Sequence, residues 1–332
     1  MDFIYQCDDR YAPFTGVSIY SLLENNKLLD SIRVFVIDDS ISELNKSRLI
    51  QCVDSFGREI SFLPADTLMN ASDAKEMQKY KGTRKNTHSF LKMIAIDQLP
   101  DDVETITYLD SDTLVLNSLE QLQDIEMKDC IIAMALDSLV DEKKKLIGFD
   151  RSDPYYNSGV IYIDVKRWKE GKCRERVIEH SKHHSYGTVD QDLLNVEFKG
   201  EIYTLPPEFN FQPHHIAFTD KDYFSVFTHK NGRYYSEDEI KMAREHICIM
   251  HFFRYLGEQP WHKGNLHPCN DCFDSYLRRT PWSDYEKKEA QKTTLFVVEK
   301  CIYRILPKRL FLRLFMAFFT LKLKHDIRAG NK

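Results

Sequence analysis

The sequence lacks an excess of positive charge. Its 332 residues include 46 lysine and arginine residues against 51 aspartate and glutamate residues, giving a formal net charge of −5. Nucleic-acid-binding proteins usually carry a basic excess over the binding domain, so we expect no nucleic-acid partner. The sequence also lacks internal repeats and low-complexity tracts. Its hydrophobic content of 42% is typical of a globular protein with a full core.

The N-terminus lacks the basic segment, apolar stretch and small-residue cleavage site of a secretory signal peptide. The eight cysteines are scattered along the chain, and without an export signal we expect them to be reduced thiols in a cytosolic protein. One cluster, His267, Cys269 and Cys272, has metal-like spacing. A structural zinc site needs four ligands and a second pair of this kind is missing, so zinc is disfavoured.

Short apolar runs alternate with longer segments that have helical spacing. This alternation predicts a three-layer α/β fold with a mostly parallel central sheet. The predicted strands are residues 3–7, 32–37, 60–63, 105–109, 131–136 and 160–163. Open sheets of this kind bind ligands beyond the carboxyl ends of their strands. Acidic residues that end strands are therefore expected on one rim, and they are Asp8, Asp9, Asp38, Asp110 and Asp137.

An Asp-x-Asp sequence, Asp110-Ser111-Asp112, directly follows the fourth predicted strand. Two carboxylates at this spacing on an extended turn can reach one hard divalent cation, whose remaining positions suit the oxygens of a diphosphate. The same sequence also occurs in solvated turns that hold no metal. The pattern by itself leaves both interpretations open.

Three further segments follow in a fixed order. An Asn-Ser-Gly bend at 157–159 is predicted to precede a strand, Asp-Gln-Asp stands at 190–192, and an apolar run with His251 precedes Gly-Glu-Gln-Pro-Trp at 257–261. Together with Asp110 and Asp112, this ordered set resembles glycosyltransferase family 8 over about residues 1–265. That family includes bacterial lipooligosaccharide galactosyl- and glucosyltransferases and glycogenin.

The resemblance implies a GT-A-type nucleotide-sugar-binding fold over residues 1–265, in which helices flank a Rossmann-like, mostly parallel sheet. Residues 266–332 are then a helical C-terminal extension. The implied activity is that of a metal-dependent, retaining hexosyltransferase. Such an enzyme transfers galactose or glucose from a UDP-sugar to a saccharide or lipid-linked glycan acceptor in cell-surface polysaccharide or glycolipid synthesis.

The resemblance also implies roles for individual residues. The expected metal ligands are Asp110, Asp112 and His251, with Mn²⁺ as the preferred ion and Mg²⁺ as the alternative. The expected donor-binding residues are Asp8, Asp9, Tyr11, Lys92, Asp110, Ser111, Gly257 and Lys263. The residues expected around the sugar and the acceptor are Asp137, Asn157 and Ser158.

Two residues are expected to take part in catalysis, Gln191 and Asp190. By resemblance Gln191 lies nearest the anomeric carbon, where a neutral amide is a poor nucleophile and suits stabilisation of an oxocarbenium-like transition state. Asp190 is the alternative nucleophile or the acceptor of a sugar hydroxyl. The sequence leaves front-face attack and double displacement both open.

The sequence departs from the family pattern at two positions. Gln259 stands where the family usually has a lysine that meets the leaving diphosphate, and Phe90 stands where it commonly has a donor-binding arginine. The candidates for the missing cations are Arg254 or Lys263 in the first case and Arg84 or Lys92 in the second. These departures favour one alternative, a nucleotide-sugar-binding protein that has lost activity. A nucleotidyltransferase is disfavoured, because a Gly-rich basic loop is missing after the first strand.

The chain beyond residue 300 is basic and amphipathic. Its longest apolar stretch, residues 314–320, is far below the roughly 20 residues that span a bilayer. We therefore expect this region to attach the enzyme peripherally to the anionic inner face of the plasma membrane. The alternative is a helical hairpin that turns at Pro307 and packs its apolar face on the catalytic domain or on a second subunit.

Overall fold

The computed structural model describes residues 1–69, 87–137, 141–183, 188–226, 234–291 and 293–328. Within these ranges the strands are β1 (Asp2–Asp8), β2 (Arg33–Asp39), β3 (Glu59–Pro64), β4 (Thr105–Leu109), β5 (Thr113–Val115), β6 (Ile132–Leu136), β7 (Tyr156–Asp164), β8 (Ile202–Leu205) and β9 (Ile249–His251).

The α-helices in these ranges are α1 (Ala12–Asn25), α2 (Glu43–Asp54), α3 (Ala65–Leu68), α4 (Leu91–Ile94), α5 (Asp141–Leu146), α6 (Val165–Glu170), α7 (Cys173–His183), α8 (Val189–Glu197), α9 (His214–Ala217), α10 (Asp220–Val226), α11 (Glu237–Glu245), α12 (Asn270–Leu277), α13 (Thr294–Ile305) and α14 (Lys308–Arg328). Short 3₁₀ turns cover Thr87–Phe90, Ala95–Gln98, Glu120–Leu122 and Pro207–Asn210.

Seven strands form the central sheet, in the order β3-β2-β1-β4-β7-β6-β8. Within this sheet only β7 is reversed, because it pairs antiparallel with both β4 and β6 while the other neighbours pair parallel. Strand β6 is buried at every position, as expected for a strand covered on both faces. The predicted mostly parallel α/β fold is confirmed.

Side-chain caps define where several helices begin. Ser42 accepts a hydrogen bond from the Asn45 amide at the start of α2. Ser236 and Glu239 form a reciprocal capping box at the start of α11, and Thr293 caps α13. Each cap satisfies amide groups that have no partner within the first turn of the helix.

A second, two-stranded sheet joins β5 to β9 in antiparallel register. Thr113 pairs with His251, and the Phe252 amide donates to the Asp112 carbonyl at 2.7 Å. This small sheet was not among the predicted strands, because three-residue strands carry little periodic signal. It brings His251 beside the turn that follows β4.

The predicted bend at residues 157–159 is wrong, because these residues lie inside the nine-residue strand β7. The Asp110 amide donates to the Gly159 carbonyl at 2.8 Å, so the strand continues past the end of β4. The pairing of β7 with β6 shifts register between Met134 and Leu136. Polar residues are tolerated here because Asn157 and Ser158 are buried in a hydrogen-bonded network.

The chain beyond residue 265 divides into two structural parts. Cys269, Phe273, Leu277 and Trp282 belong to the same buried core as the central sheet. Helices α13 and α14 follow and flank Pro307, where the sequence analysis placed a turn between helices. In the described residues no helix is both long enough and apolar enough to cross a bilayer. A domain boundary near residue 265 stays a prediction.

Helix α14 makes its own contacts with the body of the protein. Phe311 and Leu312 are buried in a second apolar cluster, together with Phe218, Tyr255 and Leu256. One face of α14 therefore packs on the body of the protein. Its other face is described below.

We expect Gly16→Ala to destabilise the fold by about 1–3 kcal/mol, the usual cost of overpacking a core. A Cβ at Gly16 would lie 2.1 Å from the ring of Trp282, which packs directly on α1. Urea unfolding measures the loss, with Leu28→Ala as a control at an exposed position. Smaller side chains at residue 282 should recover part of the loss. Equal unfolding midpoints for Gly16→Ala and the parent protein would contradict the packing.

Candidate functional site

Asp110, Asp112 and His251 form a cluster in which one ligand atom from each residue lies within 4.8 Å of the others. His251 Nε2 lies 3.2 Å from Asp112 Oδ1 and 3.8 Å from Asp110 Oδ2. Two carboxylates and one imidazole suit Mn²⁺ or another divalent ion of intermediate hardness. The Asp-x-Asp turn and the pairing of β5 with β9 bring these side chains together.

The His251 ring is fixed by groups that the sequence analysis missed. His251 Nδ1 donates to Asn210 Oδ1 at 3.0 Å, which leaves Nε2 facing the carboxylates. Asn210 Nδ2 in turn donates to Asn157 Oδ1 at 2.9 Å. A Cβ at Gly159 would lie 2.0 Å from the His251 ring, so only glycine leaves room for it. Asn210 lies in the 3₁₀ turn that follows β8, and no local sequence pattern marks it as part of the site.

The electrostatics of the cluster favour a bound cation. Burial raises the pKa of Asp110 above its usual value, with a further contribution from Asp112, although Lys92 opposes the shift. Burial lowers the pKa of His251, but Asp112 and Asp110 outweigh burial and the net pKa is raised. Both directions reflect negative charge concentrated in a buried place. A divalent cation would neutralise that charge, so the donor set fits the implied metal.

Lys92 on α4 is buried beside the cluster. Its Nζ lies 2.6 Å from the Asp190 carboxylate and 3.9 Å from that of Asp110. It also donates to the Ser158 carbonyl at 3.0 Å and faces the ring of Tyr108. Lys92 therefore lies beside the cluster, and its role as a replacement for the family arginine stays a prediction. Phe90 lies in the hydrophobic core, and Arg84 lies outside the described residues.

The surroundings of Lys92 and Asp190 shift the pKa of each group in the direction that favours its charged form. Burial lowers the pKa of Lys92, but the charges of Asp190 and Asp110 outweigh it and the net pKa lies above the usual value. Burial raises the pKa of Asp190, but Lys92 and the Ser158 hydroxyl outweigh it and the net pKa lies below the usual value. The Asp190 carboxylate is therefore committed to two partners.

Gln191 lies at the centre of a hydrogen-bonded amide network. Its Oε1 accepts from Asn157 Nδ2 at 3.1 Å and from the Ser158 amide at 3.2 Å. Its Nε2 donates to the Asp137 carboxylate at 2.9 Å and to the Tyr155 hydroxyl at 3.1 Å. These four contacts fix which end of the amide points in each direction. Tyr155 was not predicted, since a buried tyrosine next to a strand is an ordinary core residue.

A cavity of about 350 Å³ runs from the first strand to the cluster. Its predicted members are Asp8, Tyr11, Lys92, Asp110, Ser111, Asp112 and Asp190. Asp39 and His88 line it as well and were not predicted, and His88 Nδ1 lies 2.6 Å from Asp39 Oδ2. Asp9 instead accepts hydrogen bonds from the Ser42 amide and from Asn45 at the start of α2.

Gly257 and Lys263 line a separate cavity of about 400 Å³ beside α13. Their expected role in donor binding stays a prediction. Arg254 is exposed and its charge acts on Tyr11, whose pKa is raised mainly by burial. Arg254 therefore acts electrostatically on Tyr11, one of the residues that line the cavity beside the cluster. Gln259 Nε2 donates to Asp112 Oδ2 at 3.2 Å, and its buried Oε1 has no hydrogen-bond partner among the described residues.

The second metal-like cluster is structural. His267 Nε2 donates to the Phe253 carbonyl at 3.0 Å, and its Nδ1 accepts from the Cys269 amide at 3.1 Å. Both ring nitrogens are therefore occupied, and burial lowers the pKa of His267 to about 4. A neutral imidazole with two satisfied nitrogens has nothing left to offer a zinc ion.

Comparison with known proteins identifies the family of this chain. The sequence model of Glycosyl transferase family 8 matches residues 2–264. The chain belongs to glycosyltransferase family 8. Among its relatives is general stress protein A of Bacillus subtilis (strain 168), which is 29% identical over 85% of this chain and 95% of that protein. Lipopolysaccharide 1,2-glucosyltransferase of Escherichia coli (strain K12) is 25% identical over 88% and 82% of the two chains.

A solved structure supports the fold of this family 8 glycosyltransferase. The galactosyltransferase LgtC, in complex with donor and acceptor sugar analogues, superposes with a TM-score of 0.64. The two chains are 21% identical, and the match covers 85% of this chain and 96% of LgtC. The predicted GT-A-type fold is confirmed, and so is the family that the ordered motifs indicated.

We expect Asp112→Asn to weaken Mn²⁺ binding by more than about 100-fold, beyond the usual loss when an outer-shell partner is removed. The substitution replaces one of the clustered carboxylates with a neutral amide and leaves the backbone pairing of β5 intact. Titration calorimetry measures the affinity, and Asp124→Asn is the matched control at an exposed turn. Unchanged Mn²⁺ affinity in Asp112→Asn would show that the ion uses other ligands.

Proposed function

We propose that this family 8 glycosyltransferase transfers a hexose, glucose or galactose, from a UDP-sugar with retention of anomeric configuration. The proposed acceptor is a saccharide or lipid-linked glycan used in cell-surface polysaccharide or glycolipid synthesis. One observation carries the proposal: the cluster of Asp110, Asp112 and His251 adjoins the buried pair of Lys92 and Asp190. The names of the Escherichia coli glucosyltransferase and of LgtC support a hexose donor.

The donor is proposed to lie in the cavity that connects β1 to the cluster. Asp110, Asp112 and His251 would hold Mn²⁺, or alternatively Mg²⁺, which neutralises charge on the diphosphate. Tyr11 and Asp8 line the same cavity. A ring and a carboxylate there suit stacking on a base and hydrogen bonding to a nucleoside. Lys92 places a second positive charge within reach of the departing diphosphate.

The contacts around Gln191 and Asp190 favour one division of labour. Asp190 is paired with Lys92 and accepts from the Ser158 hydroxyl at 2.9 Å. A carboxylate with two partners and a lowered pKa is a weak nucleophile, so Asp190 is better suited to hold Lys92 and sugar hydroxyls in place. The Gln191 amide is held on both ends, and a rigid dipole of this kind stabilises developing positive charge without reorganising. These contacts support front-face attack over double displacement.

The alternative is a nucleotide-sugar-binding protein without activity. The observation that favours it is Gln259, whose neutral amide contacts Asp112 where the family pattern has a cation. Arg254 near Tyr11 is the proposed substitute. Turnover of a UDP-hexose decides between the two functions.

We expect the protein to hydrolyse or transfer hexose from UDP-glucose or UDP-galactose in the presence of Mn²⁺, and to give an α-linked product. Gln191→Ala should lower kcat by about 10²- to 10³-fold, the usual cost of losing one transition-state contact. Proton NMR of the anomeric signal reports the configuration, and Gln123→Ala at an exposed position is the matched control. A β-linked product would reject the retaining mechanism, and UDP binding without turnover would favour the inactive alternative.

We also infer that the outer face of α13 and α14 attaches the enzyme to an anionic membrane surface at the inner face of the plasma membrane. Large apolar side chains are exposed along both helices, at Leu295, Val298, Ile302, Ile305, Leu310, Leu314, Phe318, Phe319 and Leu321. Cations are exposed among them, at Arg304, Lys308, Arg309, Arg313 and Lys322. Apolar groups beside cations suit the boundary between acyl chains and anionic headgroups. A lipid-linked acceptor would lie at the same surface.

We expect the triple variant Leu314→Asn, Phe318→Asn and Leu321→Asn to lose at least about 100-fold in affinity for vesicles that contain phosphatidylserine. Each side chain contributes about 1.5 kcal/mol or more when it is fully buried in an apolar phase. Co-sedimentation measures the affinity. The matched control replaces three exposed apolar residues elsewhere with Asn, at Leu28, Leu44 and Met242. Unchanged vesicle binding in the triple variant would contradict the membrane role of this face. If the parent protein is a dimer and only the triple variant dissociates it, the face instead contacts a second copy of the chain.

A further inference from the structure

Glu258 is a buried carboxylate in the loop of residues 257–264, which we call the catalytic loop. Its side chain is only 4% exposed. Both of its oxygens lie 2.7 Å from Lys300 Nζ on α13. Lys300 also donates to the Gly264 carbonyl at 2.8 Å, at the far end of the same loop. One lysine of the C-terminal extension therefore holds both ends of the catalytic loop.

Phe296, one turn before Lys300 on α13, packs against the start of the loop. Gly257 has a φ of +75°, and a Cβ at this position would lie 2.6 Å from the ring of Phe296. The glycine is needed both for its left-handed backbone and for the close approach of the ring. The loop backbone and the helix thus fit together at two successive turns of α13.

The catalytic loop reaches the candidate active site at its middle. Gln259 donates to the Asp112 carboxylate at 3.2 Å. Trp261 stacks on Phe14 with ring centroids 4.0 Å apart, and its edge meets the ring of Tyr11. The loop therefore contacts a metal-cluster carboxylate and the proposed nucleoside-binding ring. Any displacement of the loop changes the position of both contacts.

The two faces of α13 have different partners. Phe296, Lys300 and Tyr303 recur every three to four residues and face the catalytic part, where Tyr303 meets Tyr255 edge-on. The exposed apolar residues of α13 lie between them in sequence, and they include Ile302 and Ile305. With 3.6 residues per turn, these sets occupy different sides of one helix. One side of α13 therefore packs on the catalytic loop, while its other side is exposed.

We propose that Lys300 and Phe296 are positioning residues for the glycosyl-transfer reaction, through which α13 holds the catalytic loop against Asp112 and Tyr11. The C-terminal extension is then part of the catalytic unit and not a detachable anchor. This inference rests on the proposed UDP-hexose transfer for its kinetic readout. Its UDP-binding readout does not depend on turnover.

Lys300→Met tests the proposal in the full-length chain. We expect kcat/KM for the UDP-hexose to fall by about 100-fold, the usual cost of a displacement of about 1 Å in an active site. UDP affinity in the presence of Mn²⁺ should weaken about tenfold, or about 1.4 kcal/mol, because the displaced loop no longer holds Tyr11 and Asp112 in place. Lys27→Met is the matched control, because it breaks an exposed pair with Glu24 whose atoms lie 3.0 Å apart. The control should leave both quantities unchanged.

A double variant separates positioning from simple neutralisation of a buried charge. Lys300→Met leaves Glu258 buried without its cation, which lowers the unfolding temperature. Adding Glu258→Gln removes that charge, so we expect the unfolding temperature to recover while kcat/KM and UDP affinity stay reduced. Recovery of all three quantities would overturn the proposal, because Lys300 would then serve stability alone. Wild-type kinetics and wild-type UDP affinity in Lys300→Met would overturn it as well.

The proposed activity and the positioning role fail in different ways. If the parent protein binds UDP but turns over no UDP-hexose, the proposed activity is wrong. The UDP affinity of Lys300→Met would still test the positioning role. If the parent protein turns over UDP-hexose and Lys300→Met changes neither UDP affinity nor kcat/KM, only the positioning role is wrong. Phe296→Ala gives an independent check, since it removes the ring that packs on Gly257 without changing any charge. It should reduce kcat/KM in the same direction.

Discussion

The charge balance around Lys92 is the constraint on which the site depends. Asp110, Asp112 and Asp190 line one cavity, and the Lys92 ammonium is buried beside two of them. Like charges in a low-dielectric setting repel strongly, so such a group forms only when cations accompany it. Lys92 offsets Asp190 most directly. The negative charge that remains on Asp110 and Asp112 would be neutralised by a divalent cation that these two carboxylates and the His251 imidazole bind.

The fold creates this concentration of charge by joining strand ends that are distant in sequence. Strand β7 runs against β4, so the Gly159 carbonyl meets the Asp110 amide and glycine leaves room for the His251 ring. The short pairing of β5 with β9 then fixes the position of the His251 backbone beside Thr113. Asn210 links His251 to Asn157, and Asn157 contacts Gln191. The candidate metal ligand His251 and the Gln191 amide are therefore joined by one chain of hydrogen bonds, so that a displacement of one shifts the other.

The sequence predicts the parts of this site that follow regular elements. Asp110 and Asp112 directly follow a short apolar run, so their place on the rim follows from the strand pattern alone. Asn157 and Gln191 were found only through the order of motifs, and the bend assigned to Asn157 was wrong, since buried hydrogen bonds stabilise polar residues inside a strand. Asn210 and Lys300 could not be found, because each acts through a partner far away in sequence. Periodicity describes burial within one element and says nothing about which elements meet.

The C-terminal extension brings these arguments together. Composition alone suggested either a membrane anchor or a packed hairpin, as if one excluded the other. In the structure the two are compatible, because Phe311 and the side of α13 that carries Phe296 pack inward while apolar residues such as Ile305 remain exposed. A helix is about 10 Å across with its side chains. A surface bound to the outer face would therefore lie one helix away from the loop that contacts Asp112. The proposed membrane contact and the proposed positioning of the loop would then both be properties of α13.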